Sequence, residues 1–286
     1  AKSFIGNRSQ NEDAHFCYQT ADYVFAVVFD GHNGSDCSEF CCKNIQSVYE
    51  KQLELQNNVQ QALNETILQL DSDFTGASGC TACVCVITHD TLYTAHCGDT
   101  KMLAKDKKIT YSTTDHKPNN PKERERIEKT GVKIIQTNSV YRIGGILSVA
   151  RSIGDQKFKK YGVIADPDCE IYIIEDLLYS LILCDGVFEV LTEQQIEIIV
   201  LTCLKKVTEI IDVDMGEVLQ QATQYYIDDN ETKGDEVLSE YCSGNLQKEI
   251  NIENTLDLPN KIAAIIVKIA YLLGSQDNLT AVCIIQ

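Results

Sequence analysis

Residues 23–34 of the chain, Tyr-Val-Phe-Ala-Val-Val-Phe-Asp-Gly-His-Asn-Gly, decide its fold. The first seven are β-branched, aromatic or small apolar residues, a composition that predicts a buried β-strand. Asp30-Gly31 ends this strand abruptly, because aspartate and glycine favour turns. Apolar residues at helical spacing follow in two segments, around Ile45 and around Ile67. The stretch therefore predicts a strand followed by two helices in a mixed α and β domain.

Acidic residues recur where other predicted strands begin or end. They are Asp30 after residues 23–29, Asp185 after 179–184, Glu12 and Asp13 before 14–18, and Asp277 before 279–285. Where neighbouring strands run antiparallel, the end of one strand lies beside the start of the next. The pattern therefore predicts that these acids converge on one rim of a sheet.

Five carboxylates in one place repel one another unless cations neutralise them. Oxygen ligands at that density suit a hard divalent ion, Mg²⁺ or Mn²⁺, and a glycine after a strand-end aspartate can offer its carbonyl as a further ligand. Taken singly, each acid has a simpler interpretation. Asp-Gly pairs form turns, Glu12-Asp13 can open a strand in solvent, and Asp277-Asn278 can turn from helix to strand. Spacing alone leaves both interpretations open.

An ordered series of short motifs runs from residue 8 to the end of the chain, interrupted by one acidic segment. The motifs are Arg8-x-x-Asn11-Glu12-Asp13, Asp30-Gly31-His32-x-Gly34, Gly79-Cys-Thr-Ala82, Cys97-Gly98-Asp99, Thr114-Asp115-His116-Lys117-Pro118, Leu147-Ser-Val-Ala-Arg151-Ser-Ile-Gly154-Asp155, Asp185-Gly186 and Asp277-Asn278. In this order they resemble the metal-dependent serine/threonine protein phosphatase family, the protein phosphatase 2C type. A lone Asp-Gly-His-x-Gly is moderately specific, whereas the ordered set is highly specific.

The resemblance implies an α+β fold. Two stacked, mostly antiparallel β-sheets are flanked by α-helices on both outer faces, which makes a four-layer sandwich. It also implies a centre of two Mn²⁺ or Mg²⁺ ions. On that basis Asp30 bridges both ions, Gly31 offers its carbonyl to one, and Asp185 and Asp277 hold the other.

Further residues of the centre follow from the same resemblance. Glu12 and Asp13 act mainly through metal-bound waters, and Asp115, with Asp185, corresponds to the acids of a third, weakly held ion. The chain departs from the family in having Glu189 where an aspartate is usual, which bears on the third ion and not on the bridging pair. Arg142-Ile-Gly-Gly145 is a second departure.

The implied activity is hydrolysis of phosphoserine and phosphothreonine in phosphoprotein substrates. Two ions lower the pKa of a bridging water and neutralise charge that develops during in-line attack. Arg8 binds two phosphate oxygens with its planar fork. His32 gives a proton to the departing oxygen. No covalent phosphoenzyme is required, and a flap over residues 156–166 faces the substrate.

Composition excludes other classes of partner. Lysine and arginine number 25 against 42 acidic residues, a net charge of −17, which repels nucleic acid and anionic membrane surfaces. The longest apolar run, residues 262–273, is too short to cross a bilayer. The thirteen cysteines show no repeated spacing and are interpreted as free thiols in a reducing compartment, the cytoplasm or the nucleus. Cys83 and Cys85 are predicted to share one buried face of a strand.

The expected organisation is one catalytic domain over residues 1–286 with an acidic surface insertion at about 209–258. The insertion carries 13 acidic residues and 2 lysines. It is either a neutral loop or a binding surface for a basic partner, and we expect a monomer. Two other functions stay open: a catalytically inactive family member that acts as a scaffold, and an unrelated hydrolase of small phosphoesters.

Overall fold

The computed structural model of the protein describes residues 1–107, 110–206, 215–241, 252 and 257–285. The fold is mixed α and β, and the strand pairs whose register is described are antiparallel, as predicted. The chain divides into two compact units. Unit one contains residues 1–11 and 179–286, and unit two contains residues 12–178.

The elements have the following bounds in chain order. The strands are β1 (Lys2–Phe4), β2 (Ala14–Gln19), β3 (Val24–Phe29), β4 (Gly31–His32), β5 (Gly79–Cys80), β6 (Ala82–Ile87), β7 (Thr91–Cys97), β8 (Lys101–Asp106), β9 (Thr110–Ser112), β10 (Ile134–Thr137), β11 (Val140–Ile143), β12 (Ile153–Gly154), β13 (Asp168–Ile173), β14 (Leu177–Leu183) and β15 (Leu279–Ile284). The helices are α1 (Asp36–Gln56), α2 (Val59–Asp73), α3 (Pro121–Glu128), α4 (Gln156–Lys159), α5 (Asp185–Phe188), α6 (Glu193–Cys203), α7 (Gly216–Ile227), α8 (Glu231–Leu238) and α9 (Leu258–Leu272), with a 3₁₀ turn at Ser239–Tyr241.

Strand β3 is an inner strand of the main sheet of unit two, whose order is β13-β7-β6-β3-β2. One face of β3 carries Phe25, Val27 and Phe29, which pack in a core with Ile45 of α1 and Ile67 of α2. All five side chains are fully buried. The long apolar run at residues 23–29 thus forms the predicted buried strand, and the helical spacing after it forms the two helices that cover the sheet.

Shorter elements complete unit two. Strands β12, β5 and β4 form a small sheet, while β8-β9 and β10-β11 are antiparallel pairs. Helix α3 begins at Pro121, because the Asn120 side chain accepts a hydrogen bond from the Lys122 amide and Pro121 suits the first turn. Cys83 and Cys85 lie in β6 and are fully buried, as predicted.

Unit one is built around helix α9 and the strands β1, β15 and β14, which pair in that order. Side chains 262–271 of α9 are all buried, so this helix forms the centre of its core. Helix α6 begins with a capping box, in which Thr192 and Gln195 satisfy each other's backbone amides.

The described part of the acidic insertion differs from the surface segment that its charge predicted. Residues 216–238 form α7 and α8, in which Leu219, Ala222, Tyr226 and Leu238 are fully buried. Although the segment is highly acidic, it contains apolar residues at helical spacing, and these give α7 a buried apolar face. The rest of the insertion, residues 209–214, 242–251 and 253–256, lies outside the described residues.

The sequence predicts free thiols and an apolar run too short to cross a membrane, and the structure bears on both points. Every cysteine that the structure describes is a free thiol. Among the helices in the described part of the chain, none combines the length and the apolar character that crossing a membrane requires.

A buried lysine joins the insertion to α9. The side chain of Lys268 is 6% exposed, and its ammonium lies 2.5 Å from Glu231 and 3.2 Å from Asp235, both on α8. The same ammonium lies 5.3 Å from the centre of the Tyr226 ring on α7. A buried charge is tolerated only where it is paired, so the acids of α8 allow Lys268 to occupy the core.

We expect Glu231→Gln to lower the free energy of unfolding by about 2 kcal/mol, since it removes one partner of a buried ammonium. The glutamine oxygen can still accept the hydrogen bond from the Ile252 amide. Urea denaturation measures the effect. Glu217→Gln, the same chemical change at an exposed residue of α7, should change the value by less than about 0.5 kcal/mol. Equal losses in both variants would contradict a specific role of the Lys268 pair.

Candidate functional site

Three carboxylates come together at the ends of strands in unit two. Asp13 precedes β2 and Asp30 follows β3, and these strands pair with Ala14 opposite Phe29. A carboxylate oxygen of Asp30 lies within 4.8 Å of one on Asp13 and of one on Asp99. The predicted proximity of Asp13 and Asp30 is therefore present. An all-oxygen donor set of this charge fits a hard divalent cation.

Asp99 is a further member of this group, although the sequence motif Cys97-Gly98-Asp99 predicts no metal-binding role for it. It follows β7 and Gly98, so the strand-end pattern that selected Asp30 could also have selected Asp99. Its side chain is 3% exposed and pairs with Lys117. Asp115 lies 3.3 Å from Lys101. Burial raises the pKa of Asp115 above its ordinary value even though Lys101 opposes this.

Gly31 and Glu12 are held in close contact. A Cβ atom at residue 31 would lie 2.2 Å from the carbonyl oxygen of Glu12, so only glycine fits. The Glu12 carboxylate accepts a hydrogen bond of 2.5 Å from the Gly34 amide, and its carbonyl accepts one from the Ser38 hydroxyl. Glu12 thus orders the loop that follows His32.

His32 is paired with a buried aspartate. Its Nε2 lies 2.6 Å from Asp155 Oδ2, and the Ser152 hydroxyl donates to the same oxygen at 2.7 Å. Burial alone would lower the pKa of His32, but the hydrogen bond and the charge of Asp155 outweigh it and raise the pKa. The pairing with Asp155 therefore favours the protonated form of His32. Asp155 ends one of the sequence motifs, but the sequence predicts no role for it.

Unit one brings together a second set of predicted residues. Asp277 precedes β15, Asp185 follows β14, and these strands are antiparallel neighbours. A Cβ atom at Gly186 would lie 2.2 Å from the Asn278 carbonyl oxygen and 3.0 Å from Asp277 Cβ. The glycine after Asp185 therefore allows the two acidic turns to approach each other.

Arg8 and Glu189 both bind the turn that carries Asp277. The Arg8 guanidinium donates to Asp277 Oδ2 at 2.7 Å and to the Gln276 carbonyl at 3.2 Å. Oε2 of Glu189 accepts hydrogen bonds from the Ser275 hydroxyl at 3.0 Å and the Gln276 amide at 2.9 Å. The longer side chain of glutamate thus orders the backbone before Asp277. The phosphate role of Arg8 and the third ion stay predictions.

Unit two also contains two stacked, buried histidines. The rings of His96 and His116 are 4.5 Å apart, and His96 Nε2 lies 2.9 Å from the Thr114 carbonyl oxygen. The Gly98 amide donates a hydrogen bond to His116 Nδ1, and His116 Nε2 lies 3.2 Å from an Asp168 carboxylate oxygen. His116 Nδ1 thus accepts a hydrogen bond from within the protein, and we interpret the pair as part of the packed interior.

Comparisons with known proteins place these residues in a family. A family model described as "Protein phosphatase 2C" matches residues 1–230. A rice (Oryza sativa subsp. japonica) relative named "Probable protein phosphatase 2C 52" is 32% identical over 205 residues, which cover 67% of this chain and 41% of its own length. "Probable protein phosphatase 2C 5" of Paramecium tetraurelia is 32% identical over 255 residues, which cover 78% of this chain and 82% of its own length.

The fold of this chain is also similar to that of a solved structure. The crystal structure of serine-threonine phosphatase 2C from Toxoplasma gondii matches with a TM-score of 0.68 at 17% identity, covering 99% of this chain and 93% of that chain. The chain spans between 41% and 63% of the length of four rice relatives that it matches.

The buried His96 makes the stability of the protein depend on pH. Burial, followed by the charge of His116, lowers the pKa of His96 to about 4. The unfolded chain binds a proton near pH 6.5, so stability falls as the pH decreases from there towards 4. We expect His96→Gln to reduce the loss of unfolding free energy between pH 7 and pH 5 by about 2 kcal/mol.

Urea denaturation at the two pH values measures this difference. His89→Gln, at an exposed histidine, is the matched control and should retain the pH dependence of the unsubstituted chain. Equal pH dependence in His96→Gln and the unsubstituted chain would show that His96 is not the group responsible.

Proposed function

The chain belongs to the protein phosphatase 2C family, and we propose that it is an active protein serine/threonine phosphatase that depends on Mn²⁺ or Mg²⁺. The observation that carries the proposal is the grouping of acids at strand ends in each unit. Asp30 lies with Asp13 and Asp99 in unit two, and Asp185 and Asp277 flank paired strands in unit one. A family member that had become a scaffold would have no need to keep these acids.

We propose a centre of two ions, in line with the resemblance. Asp30 would hold both ions and the Gly31 carbonyl one of them, while Asp185 and Asp277 would hold the other. Glu12 and Asp13 would act through water, and Asp115 with Asp185 would hold a third, weaker ion. Such ions supply neutralisation of the phosphate charge and activation of water. The all-oxygen donor set supports this assignment.

The other groups of the chain bind the substrate and move a proton. Arg8 would bind phosphate oxygens through its two-pronged guanidinium, exchanging its present contact with Asp277 for the ligand. His32 would donate a proton from its ring to the departing serine or threonine oxygen. Asp155 is a positioning residue, because it holds the His32 ring at 2.6 Å and favours its charged form.

The proposed setting of the enzyme follows the sequence expectations. We propose phosphoprotein substrates, a monomer, and a cytoplasmic or nuclear location. Three acids of the insertion, Asp229, Glu231 and Asp235, already bind lysines of α9. A basic partner of the insertion would therefore bind its other acidic residues.

Turnover in the presence of different metal ions tests the proposal. A phosphothreonine peptide and para-nitrophenyl phosphate are offered with EDTA, Mg²⁺ or Mn²⁺. We expect EDTA to abolish turnover, added Mn²⁺ to restore it, and Asp185→Asn to reduce it by about 100-fold or more, since a direct metal ligand is lost.

Asp22→Asn, the same change at an exposed residue between β2 and β3, should leave the rate unaltered. Absence of turnover with every metal, from protein with a native circular dichroism spectrum, would favour the scaffold function. Turnover of small phosphoesters without turnover of the peptide would favour the unrelated hydrolase.

The leaving group tests the role of His32. Because an alkoxide needs a proton and an aryl oxide does not, we expect His32→Ala to slow the phosphothreonine peptide by about 100-fold and para-nitrophenyl phosphate by only a few-fold. Asp155→Asn should also slow the phosphothreonine peptide more than para-nitrophenyl phosphate, but by a smaller factor than His32→Ala does. Equal losses on both substrates would remove the proton-donor role.

A further inference from the structure

Three buried cysteines meet on the inner side of the strand pair that carries His32. Cys37 and Cys41 lie one turn apart on α1, and Cys80 is the last residue of β5. The sulfur of Cys80 lies 3.5 Å from that of Cys37 and 3.9 Å from that of Cys41. All three side chains are fully buried, and their sulfurs all lie within 4.8 Å of one another.

These separations match those of sulfurs that share one metal ion. A Zn–S bond of about 2.3 Å places two sulfurs about 3.8 Å apart in a tetrahedral site and about 4.0 Å apart in a trigonal one. Sulfurs joined in a disulfide would be about 2.0 Å apart. No pair of these three sulfurs is bonded, and the two separations from Cys80, 3.5 and 3.9 Å, are close to those of sulfurs around one ion.

We propose that Cys37, Cys41 and Cys80 bind one soft, thiophilic cation of the Zn²⁺ or Cd²⁺ class, at a site separate from the carboxylates. Thiolate ligands select such ions, whereas Mg²⁺ and Mn²⁺ prefer oxygen, so the two kinds of site do not compete. Cys37 lies in the first turn of the 21-residue helix α1, whose amino-terminal dipole favours negative charge on its sulfur.

Hydrogen bonds to neighbouring groups fix the position of Cys37. The Cys37 amide donates to the Ser78 hydroxyl oxygen at 3.1 Å, and the Cys37 thiol contacts the Ile153 carbonyl oxygen at 3.5 Å. The helix, β5 and β12 thus converge on the three sulfurs. Ligands that are already ordered cost little further entropy on binding an ion.

The site adjoins the residues of the proposed function without sharing a ligand with them. Cys80 is the register partner of Gly31, and Gly79 is that of His32. A bound cation would therefore join α1 to β5, the strand on which β4 is paired. Loading should raise the melting temperature of the chain, provided that the three ordered thiols bind the cation more tightly than the thiols of the unfolded chain do.

Cadmium titration tests the proposal independently of phosphatase activity. The reduced, chelator-treated 286-residue chain is titrated with Cd²⁺ in excess Mg²⁺, and the thiolate-to-cadmium charge-transfer absorption is followed in the ultraviolet. We expect saturation at one Cd²⁺ per chain, a higher melting temperature, and no displacement of Cd²⁺ by the excess Mg²⁺.

Variants identify the ligands. Cys41→Ser and Cys80→Ser should each lose the charge-transfer absorption and the rise in melting temperature. Cys17→Ser, at an exposed thiol, and Cys83→Ser, at a buried one in β6, should retain both. Retention of the absorption by Cys41→Ser and Cys80→Ser would overturn the assignment.

If a variant does not fold, X-ray absorption spectroscopy at the cadmium edge is applied to the Cd²⁺-loaded, unsubstituted chain. It counts the sulfur atoms bound to the ion. Three sulfur neighbours would support the site. Fewer than three sulfurs, only oxygen or nitrogen neighbours, or no stoichiometric Cd²⁺ would overturn it and leave the three thiols as core packing.

Discussion

Antiparallel pairing of β2 with β3 is the constraint on which the rest of the structure depends. The register places Ala14 opposite Phe29, so the acids on either side of these residues, Asp13 and Asp30, are brought within 4.8 Å. Two like charges at that distance repel by about 3 kcal/mol at an effective dielectric constant of about 20. Each large apolar side chain buried on β3 contributes about 2 kcal/mol in the other direction. The core under α1 and α2 can therefore hold carboxylates together at the strand ends.

Glycine has the same physical role after both strand-end aspartates. A Cβ atom at Gly31 would lie 2.2 Å from the Glu12 carbonyl oxygen, and one at Gly186 would lie 2.2 Å from the Asn278 carbonyl oxygen. In each unit the glycine lets the turn after one strand contact the turn before its neighbour. The Asp-Gly pairs are thus required by the close approach of two backbones. This distinguishes them from ordinary turns, where glycine is needed for its conformational freedom.

Local patterns predicted the strand at residues 23–29 and the helices around Ile45 and Ile67, because buried strands and helices leave apolar patterns in the sequence. The capping box at Thr192 and the cap at Asn120 are equally local features. The insertion was assigned to the surface because charge was counted over 50 residues. The helical period of Leu219, Ala222 and Tyr226 is short and was outweighed by that count. Their burial depends on the packing of α7 against α6 and α8.

The sequence by itself determined the buried central strand, the acids at the strand ends and the family to which the chain belongs. These features are local, or they recur in a fixed order along the chain. Only the tertiary structure decided which side chains meet across long separations. Examples are Asp155 on His32, Glu189 on the turn before Asp277, and the three thiols from α1 and β5. The physical reason is that such contacts depend on how elements pack and on their register, which no local period of apolar or acidic residues records.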